Sequence, residues 1–388
     1  MADRSDYDVV ILGAGLAGLS LAVRLADLPQ IRTLVLEPRT HSPRDRTWCS
    51  WRLLDHPFAP AVSASWQSWE VMRRDAAGRP VAASQTSAEC PYDMIPSDRL
   101  WDVALSRLDR APQVELRMGC RALGMAERTD GVTVTTEAGP IEAGLVFDSR
   151  PPPPGPPGDF VQRFLGQEVV TEAPVFDPSR ATLMDFDVPQ HPGVVHFLYV
   201  LPTSPTEALV EDTWLAPAHV PLPDHRAAIR EYLGARFGVT AFTPRFEEEG
   251  AIPMSPGLRA PEAAGRVIPI GTAGGAVKPS SGYAFLAIQR MADELAAGIA
   301  AGRRPTPFRV RSRTASWMDE VFLSALLRAP EIAPHLFVSL FARCRPEPLI
   351  RFLNDVGSPT DIARVIAAMP KWPMIDAAFR TPPPLFGR

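Results

Sequence analysis

The sequence predicts an α/β chain, α+β overall, and three observations carry that expectation. Residues Asp8 to Glu37, DVVILGAGLAGLSLAVRLADLPQIRTLVLE, run from an apolar stretch through a glycine turn and a helical apolar face to a second apolar stretch. A proline-rich middle, from Phe160 to about Glu249, has its apolar residues in strand-like runs. Beyond Arg304 the apolar residues recur at helical spacing.

The first stretch is the most constrained. Val9, Val10, Ile11 and Leu12 form an unbroken apolar run, as expected of a central parallel strand covered on both faces. The turn Gly13-Ala14-Gly15-Leu16-Ala17-Gly18 follows at once. Its first glycine permits the tight turn, its second lets the backbone approach a pyrophosphate, and its third lets the next helix pack closely on the strand. Leu19, Leu21, Ala22, Leu25 and Ala26 give that helix its apolar face, which ends near Pro29. The free N–H groups and dipole of such a helix start favour a diphosphate. A second strand, Thr33 to Leu36, ends at Glu37, where an acid hydrogen-bonds a ribose hydroxyl. These parts, in this order, predict a Rossmann-like domain that binds a dinucleotide through Gly13, Gly15, Gly18 and Glu37. Its position at the N-terminus favours FAD over NAD.

Bulk properties narrow the remaining classes. A chain of 388 residues is long enough for two or three domains. Its net charge of −4 lacks the basic footprint of a nucleic-acid binder. Cys49, Cys90, Cys120 and Cys344 are scattered without metal-ligand spacing and read as reduced thiols of a cytosolic protein, so no metal is expected. The start, MADRSDYD, is too polar for a signal peptide, and no apolar run reaches the roughly 18 residues of a membrane span. The 43 prolines favour many loops and abrupt element ends.

Past the polar loop Arg39 to Arg46, the aromatics Trp48, Trp51, Trp66, Trp69 and Tyr92 read as core packing or as the lining of an apolar channel. Ser97 is the expected N-cap of a helix with Leu100, Trp101, Ala104, Leu105 and Leu108 on one face. Val114 to Arg117 and Val132 to Thr135 alternate like strands of a meander. Gly144 to Phe147 reads as a return strand into the nucleotide-binding sheet, ending at Asp148-Ser149-Arg150 before a proline run, Pro151 to Pro157, that marks a domain crossing.

Four runs then predict an antiparallel sheet: Leu165 to Val170, Ala181 to Phe186, Val194 to Leu201 and Ala208 to Leu215. One helix, Asp224 to Phe237, follows them, and the glutamate run Glu247 to Glu249 reads as a solvated face. Val267 to Ile270 is a further strand, ending at Gly271-Thr272-Ala273-Gly274-Gly275, and a helix runs from about Tyr283 to Ala301. In the tail, Ser358-Pro359-Thr360-Asp361 is a helix start, with an N-cap, Pro at N1 and an acid at N3. The predicted organisation is a discontinuous FAD-binding domain (1–55, 94–150 and 262–303), an interleaved substrate domain (56–93 and 151–261) and a helical C-terminal region (304–388).

The ordered set of motifs resembles the bacterial lycopene β-cyclases of carotenoid biosynthesis, FAD proteins related to aromatic hydroxylases and geranylgeranyl reductases. The matching pieces begin with DVVILGAGLAGLSLA, RTWCSW, FDSRP and VQRFLGQEV. They continue with LMDFDVPQ, FLYVLP, LVEDTW, EEGAIPM and GTAGGAVKPSSGYAF, and so span nearly the whole chain. One departure is Gly271-Thr272, where related flavoproteins carry Gly-Asp.

The resemblance implies a non-redox ring closure. A terminal double bond of the linear polyene is protonated, an internal double bond attacks the cation, and loss of a proton leaves a β-ionone ring. It further implies a Glu211 proton donor in the motif Val210-Glu211-Asp212-Thr213, with Asp212 as its like-charged neighbour or supporting group and with Asp185, Glu248 and Glu249 as weaker candidates. Burial would raise such a carboxyl's pKa. Asp148, Gly271, Gly274, Gly275, Ser281 and Gly282 become candidates for the flavin pocket, and Trp48, Asp185 and Tyr283 for the substrate channel. The implied partners are reduced FAD, NAD(P)H as its electron source, lycopene and related carotenes, and a membrane lipid surface. A cytoplasmic protein peripherally attached to the inner face of the cell membrane is expected. The alternatives are an NAD(P)H-dependent flavin reductase or hydroxylase acting on an isoprenoid, and a carotenoid-binding protein without chemistry.

Overall fold

The chain is described here by a computed structural model, covering residues 5–42, 44–153, 155, 159–254, 265–306 and 309–381. Strand β1 (Tyr7–Leu12), helix α1 (Leu16–Leu25) and strand β2 (Thr33–Glu37) form as the opening stretch predicts, with Val9 to Leu12 enclosed. Then come β3 (Thr47–Trp51), β4 (Ala64–Trp66), β5 (Ser68–Arg74), β6 (Pro80–Thr86), β7 (Tyr92–Pro96) and α2 (Ser97–Leu108). The chain continues through β8 (Val114–Met118), β9 (Ala122–Glu127), β10 (Val132–Thr136) and β11 (Gly139–Asp148). β12 (Phe160–Val170), β13 (Arg180–Asp185), β14 (Val195–Pro202) and β15 (Glu207–Pro217) precede α3 (His225–Phe237) and β16 (Thr243–Pro253). β17 (Val267–Pro269) leads to α4 (Phe285–Ala300), and the tail forms α5 (Arg313–Arg328), α6 (Ala333–Arg343), α7 (Pro346–Leu353), α8 (Pro359–Ala368) and α9 (Lys371–Arg380).

The first sheet has the order β8-β2-β1-β11-β10-β9, with β17 beside β11. Its centre is parallel: β1 pairs with β2 and with β11, β2 with β8, and β11 with β17. Helices α1, α2 and α4 cover one face through a core that includes Ile11, Leu19, Trp101 and Leu295. The meander expectation holds for β9, β10 and β11 but not for Val114 to Arg117. That run is β8, a parallel edge strand reached through α2, as a crossover helix requires. Alternation marks a strand but does not name its partner.

The second sheet has the order β16-β12-β15-β14-β13-β5-β6. It is antiparallel except where β5 runs parallel to β13, so the expected all-antiparallel sheet is mixed. Edge strand β16 carries Glu247 to Glu249, which corrects the reading of that run as a uniformly solvated face. Strand alternation exposes Glu247 and Glu249 and buries Glu248. A small sheet, β3-β7-β4, joins the two large ones.

Two starts were predicted for helices, and they differ. At α8 the expected capping box forms: Asp361 N donates to Ser358 Oγ at 3.2 Å and Ser358 N donates to Asp361 Oδ2 at 3.0 Å. At α2 the N-cap is Pro96, because Ser97 Oγ instead accepts from the backbone N–H groups of Asp45 (3.0 Å) and Arg46 (3.3 Å). Of the proline run expected as a domain crossing, Pro154, Pro156 and Pro157 lie outside the described residues. Among the described residues no single helix is long and apolar enough to cross a membrane.

The C-terminal helices are tied to the rest by buried polar groups. Gln85 Nε2 donates to the carbonyls of Phe341 (2.7 Å) and Cys344 (2.8 Å), fastening β6 to the end of α6. Lys278, only 2% exposed, meets Asp319 of α5 at 3.0 Å and Asp355 at 2.6 Å. Ser280 Oγ also donates to Asp319, at 2.6 Å, and Arg311 reaches Asp355 at 3.1 Å. Removing one member of a buried ion group leaves the others charged and unpaired, at a cost of about 3 to 5 kcal/mol. Lys278→Met is therefore expected to destabilise the protein by about that amount, read as a lowered denaturation midpoint in urea.

Candidate active site

Two cavities meet at the second sheet. One, of about 790 Å³, extends from the glycine turn of α1 to β12, β15 and β16, and Gly15, Arg39, Trp48, Glu211, Glu248 and Gly282 are in its wall. The other, of about 650 Å³, lies between the same sheet and the C-terminal helices, with Met184, Phe197, Phe322, Phe341, Ile366 and Met374 in its wall. Gln162, Tyr199, Ser281 and Tyr283 line both.

At the glycine end the backbone makes room for a ligand. A Cβ on Gly18 would lie 1.9 Å from the Gly13 carbonyl oxygen, so only glycine lets α1 approach its strand this closely. Gly13 has φ of 92° and a Cβ there would meet Ser149 Oγ at 2.7 Å. At Gly15, by contrast, no heavy atom of the described residues lies within 4 Å of a Cβ, and the position faces the cavity. No side chain caps α1 and its first turn carries no acid, so its N–H groups and dipole are available to an anion. This open cradle fits the pyrophosphate of a dinucleotide such as FAD.

The other predicted cofactor residues divide. Gly271 (φ 64°) fits against Ala17, and Gly271, Ser281 and Gly282 reach the cavity wall. Gly274 and Gly275 shape the turn instead: a Cβ on Gly274 would meet the Pro269 carbonyl oxygen at 2.7 Å, and Gly275 has φ of 76°. Asp148 stands outside the wall, paired with Arg150 at 2.7 Å at the strand end, while Ser149 faces the cavity. Glu37 is also withdrawn from the wall. Its carboxylate accepts from Ala14 N at 2.8 Å and from Arg39 Nε at 2.8 Å. Burial raises its pKa, but these hydrogen bonds outweigh burial and hold the acid below its ordinary value. Arg39, read from sequence only as loop, lines the cavity here together with Asp45 and Arg46.

At the sheet end, Tyr199, Glu211, Gly166 and Glu248 lie side by side on β14, β15, β12 and β16. Directly paired residues share a face, so the two carboxyls flank a position that has no side chain. A Cβ on Gly166 would be 3.3 Å from Glu248 Cγ and 3.6 Å from Glu211 Cβ. Burial, reinforced by the charges of Glu248 and Asp212, pushes the Glu211 pKa up to about 8, against a 2.8 Å hydrogen bond donated by Thr213 Oγ1. Burial likewise raises Glu248 to about 7, opposed by a 3.0 Å hydrogen bond from Thr47 Oγ1 and by Arg46.

Neighbouring strand residues point to opposite faces, and this separates Asp212 from Glu211. Asp212 is fully enclosed beneath α3, between His196 Nε2 at 2.6 Å and His225 Nδ1 at 2.7 Å. Burial raises its pKa, but the imidazole hydrogen bonds prevail and keep the group below its ordinary value. Asp212, expected beside Glu211, thus faces away from the cavity wall toward α3. Asp185, expected in the channel, is likewise enclosed, accepting from Tyr232 Oη at 2.9 Å and from Asp187 N at 2.8 Å. Its side chain serves the packing of α3. Trp48 and Tyr283 do reach the cavity walls, whereas Trp51 is buried against Trp69, Tyr92 and Tyr283 at centroid distances of 5.7, 4.9 and 5.5 Å.

Comparison with known proteins agrees with this architecture. The family model described as lycopene cyclase protein matches residues 8–379. The chain is similar to the lycopene beta-cyclase of Paracoccus sp. (strain N81106 / MBIC 01143), with 30% identity over 308 residues covering 75% of this chain and 73% of the relative. The lycopene beta-cyclase of Pantoea ananas is 29% identical over 308 residues, covering 75% and 74%. Among solved structures, a geranylgeranyl bacteriochlorophyll reductase-like protein from Thermoplasma acidophilum superposes with a TM-score of 0.62 at 13% identity, covering 95% of this chain and 98% of that one. A ternary complex of aklavinone-11 hydroxylase with FAD and aklavinone gives a TM-score of 0.55 at 18% identity, covering 93% and 73%. These two likenesses show a shared fold. The family match over nearly the whole chain, with the relative at 30% identity, shows that the chain belongs to the lycopene cyclase protein family.

Proposed function

We propose that the protein closes the ψ-ends of lycopene or a related linear carotene into β-ionone rings by acid-initiated, non-redox chemistry. The observation that carries this reading is Glu211, a carboxyl kept uncharged in the wall of the glycine-lined cavity, one strand from Tyr199 where the apolar cavity begins. In this reading the apolar cavity takes the polyene along Phe197, Phe322 and Phe341 and excludes water from it. Tyr199 and Tyr283, common to both cavities, border the passage through which one end reaches Glu211. Thr213 donates to Glu211 Oε1, fixing the carboxyl and leaving Oε2 for the acid proton. Glu211 then protonates the terminal double bond, and the dry wall prevents water from capturing the cation.

Reduced FAD fits the glycine-lined cavity and, when bound, supplies negative charge near the cation without giving up electrons. Gly15, Arg39, Gly271, Ser281 and Gly282 are the residues proposed to hold it, with NAD(P)H as the source that keeps it reduced. The reading also includes peripheral contact with a membrane, from which a carotene would be drawn. Its support is on α8 and α9: Trp372 and Phe379 are 82% and 86% exposed, with Ile366 and Ile375 exposed nearby. Ile366 and Ile375 are also in the wall of the apolar cavity. Phe322 of α5 and Phe341 of α6, by contrast, are buried and line the cavity.

Four outcomes are expected. Gly15→Val fills the open position with a side chain and should yield folded protein that neither carries flavin nor takes it up, measured by absorbance after incubation with FAD. Glu211→Gln should keep flavin but lose roughly 100-fold or more in turnover of lycopene by reduced enzyme, with the wild-type product isomeric with substrate by mass. Wild-type activity should fall as pH rises through about 8, where Glu211 loses its proton. Finally, the wild type should float with liposomes, and the double variant Trp372→Glu, Phe379→Glu should remain largely unbound.

A further inference from the structure

The proposed reaction needs a base as well as an acid, since the cyclised cation must lose a proton from a carbon next to its charge. We infer that Glu248 is that base, working across the gap at Gly166 as the partner of Glu211; the inference rests on the cyclase reading above. The geometry points to it in three ways. Glu248 and Glu211 are both registered against Gly166 and project from the same face into one cavity. A methyl group at Gly166 would touch both side chains, so glycine keeps the space between the carboxyls open. Thr47 Oγ1 donates to Glu248 Oε2 at 3.0 Å, which holds the carboxyl in the cavity wall by one oxygen.

The steps balance. Glu211 gives its proton to one carbon of the terminal double bond. The π pair of an internal double bond forms the ring C–C bond, which moves the cation into the ring. Glu248 takes a proton from an adjacent carbon, and the C–H pair becomes the ring double bond. The proton then passes from Glu248 to Glu211 above Gly166, restoring both groups with no net gain of protons or electrons.

The charges around Glu248 are compatible with one acid and one base sharing a proton. Arg44 and Arg46 approach from the loop before β3, Glu168 from β12, Cys49 from β3 and Glu211 from β15. Arg44 is itself paired with Glu168 and Arg46 lies 3.9 Å from Asp45, and both cations favour an ionised Glu248. With values of about 7 for Glu248 and about 8 for Glu211, the pair holds one proton between two apparent pKa values. Turnover should rise as Glu248 ionises and fall as Glu211 does, giving a bell-shaped profile.

The test uses full-length protein with FAD reduced under nitrogen and lycopene supplied in liposomes. Glu248→Gln is expected to keep flavin and its thermal midpoint, to lose roughly 100-fold in kcat, and to lose the acidic limb of the pH profile. Its residual product is expected to contain isomers of the ring double bond, because a cation without a placed base surrenders an adjacent proton to whichever other acceptor it meets. Glu248→Asp keeps a base on a shorter arm, so it should retain the acidic limb with a smaller loss in kcat. Wild-type turnover, a single ring isomer and an unchanged acidic limb in Glu248→Gln would overturn the inference while leaving the cyclase reading intact. Equal losses in both variants with no change in the pH profile would also overturn it. A wild type that makes no cyclic product would remove the reading on which the inference rests.

Discussion

A carboxylate withdrawn from water without a partner loses hydration that is hard to replace, and the group avoids that loss by staying protonated. The arrangement around Glu211 depends on this constraint. Its neighbours across the sheet are a tyrosine, a glycine and a second carboxyl, and none of them is a cation. Glu211, four residues before Leu215 of the apolar cavity's wall, therefore remains a proton donor near neutral pH. Asp212, one residue away, shows the opposite solution: two imidazoles hydrogen-bond it and hold it ionised on the other face. One strand thus carries an uncharged acid toward the cavity and a charged one toward α3.

The remainder of the fold gives that wall something to face. The glycine turn brings α1 close to its sheet and leaves Gly15 open, while the segment Lys278 to Tyr283 closes the cavity from the other side. That segment is fastened by Lys278 and Ser280 to Asp319 of α5 and by Lys278 to Asp355. The same residues therefore join the cofactor end, the two cavities and the C-terminal helices. A change among α5 to α9 that disturbs Asp319 or Asp355 reaches Ser281, Gly282 and Tyr283 through Lys278, whose backbone is hydrogen-bonded to all three.

The sequence was most legible where a local pattern specifies its own partners. The Asp8 to Glu37 unit and the Ser358-Asp361 box are of this kind, since turn, helix and cap lie within a few residues of one another. The resemblance to lycopene cyclases brought Glu211 forward, and strand alternation could have warned that Asp212 faces away. What local pattern does not encode is pairing between distant segments. Glu248 ranked only as a weaker candidate because β16 has almost no apolar alternation and its one inward acid stands between two exposed ones. Gly166 gains meaning only from the strands on either side of it. Glu37 and Asp148 satisfied a motif at their positions, yet Arg39 and Arg150 occupy their carboxylates.

The central claim is that Glu211 is an uncharged acid in the resting protein, and infrared spectroscopy tests it most directly. The carbonyl stretch of a protonated carboxylic acid is distinct from that of a carboxylate, so the difference spectrum between wild type and Glu211→Gln isolates this group. The account predicts a protonated-carboxyl band at neutral pH that is missing from the variant and that disappears as pH rises through about 8. A difference spectrum at neutral pH showing only a carboxylate at Glu211 would contradict it.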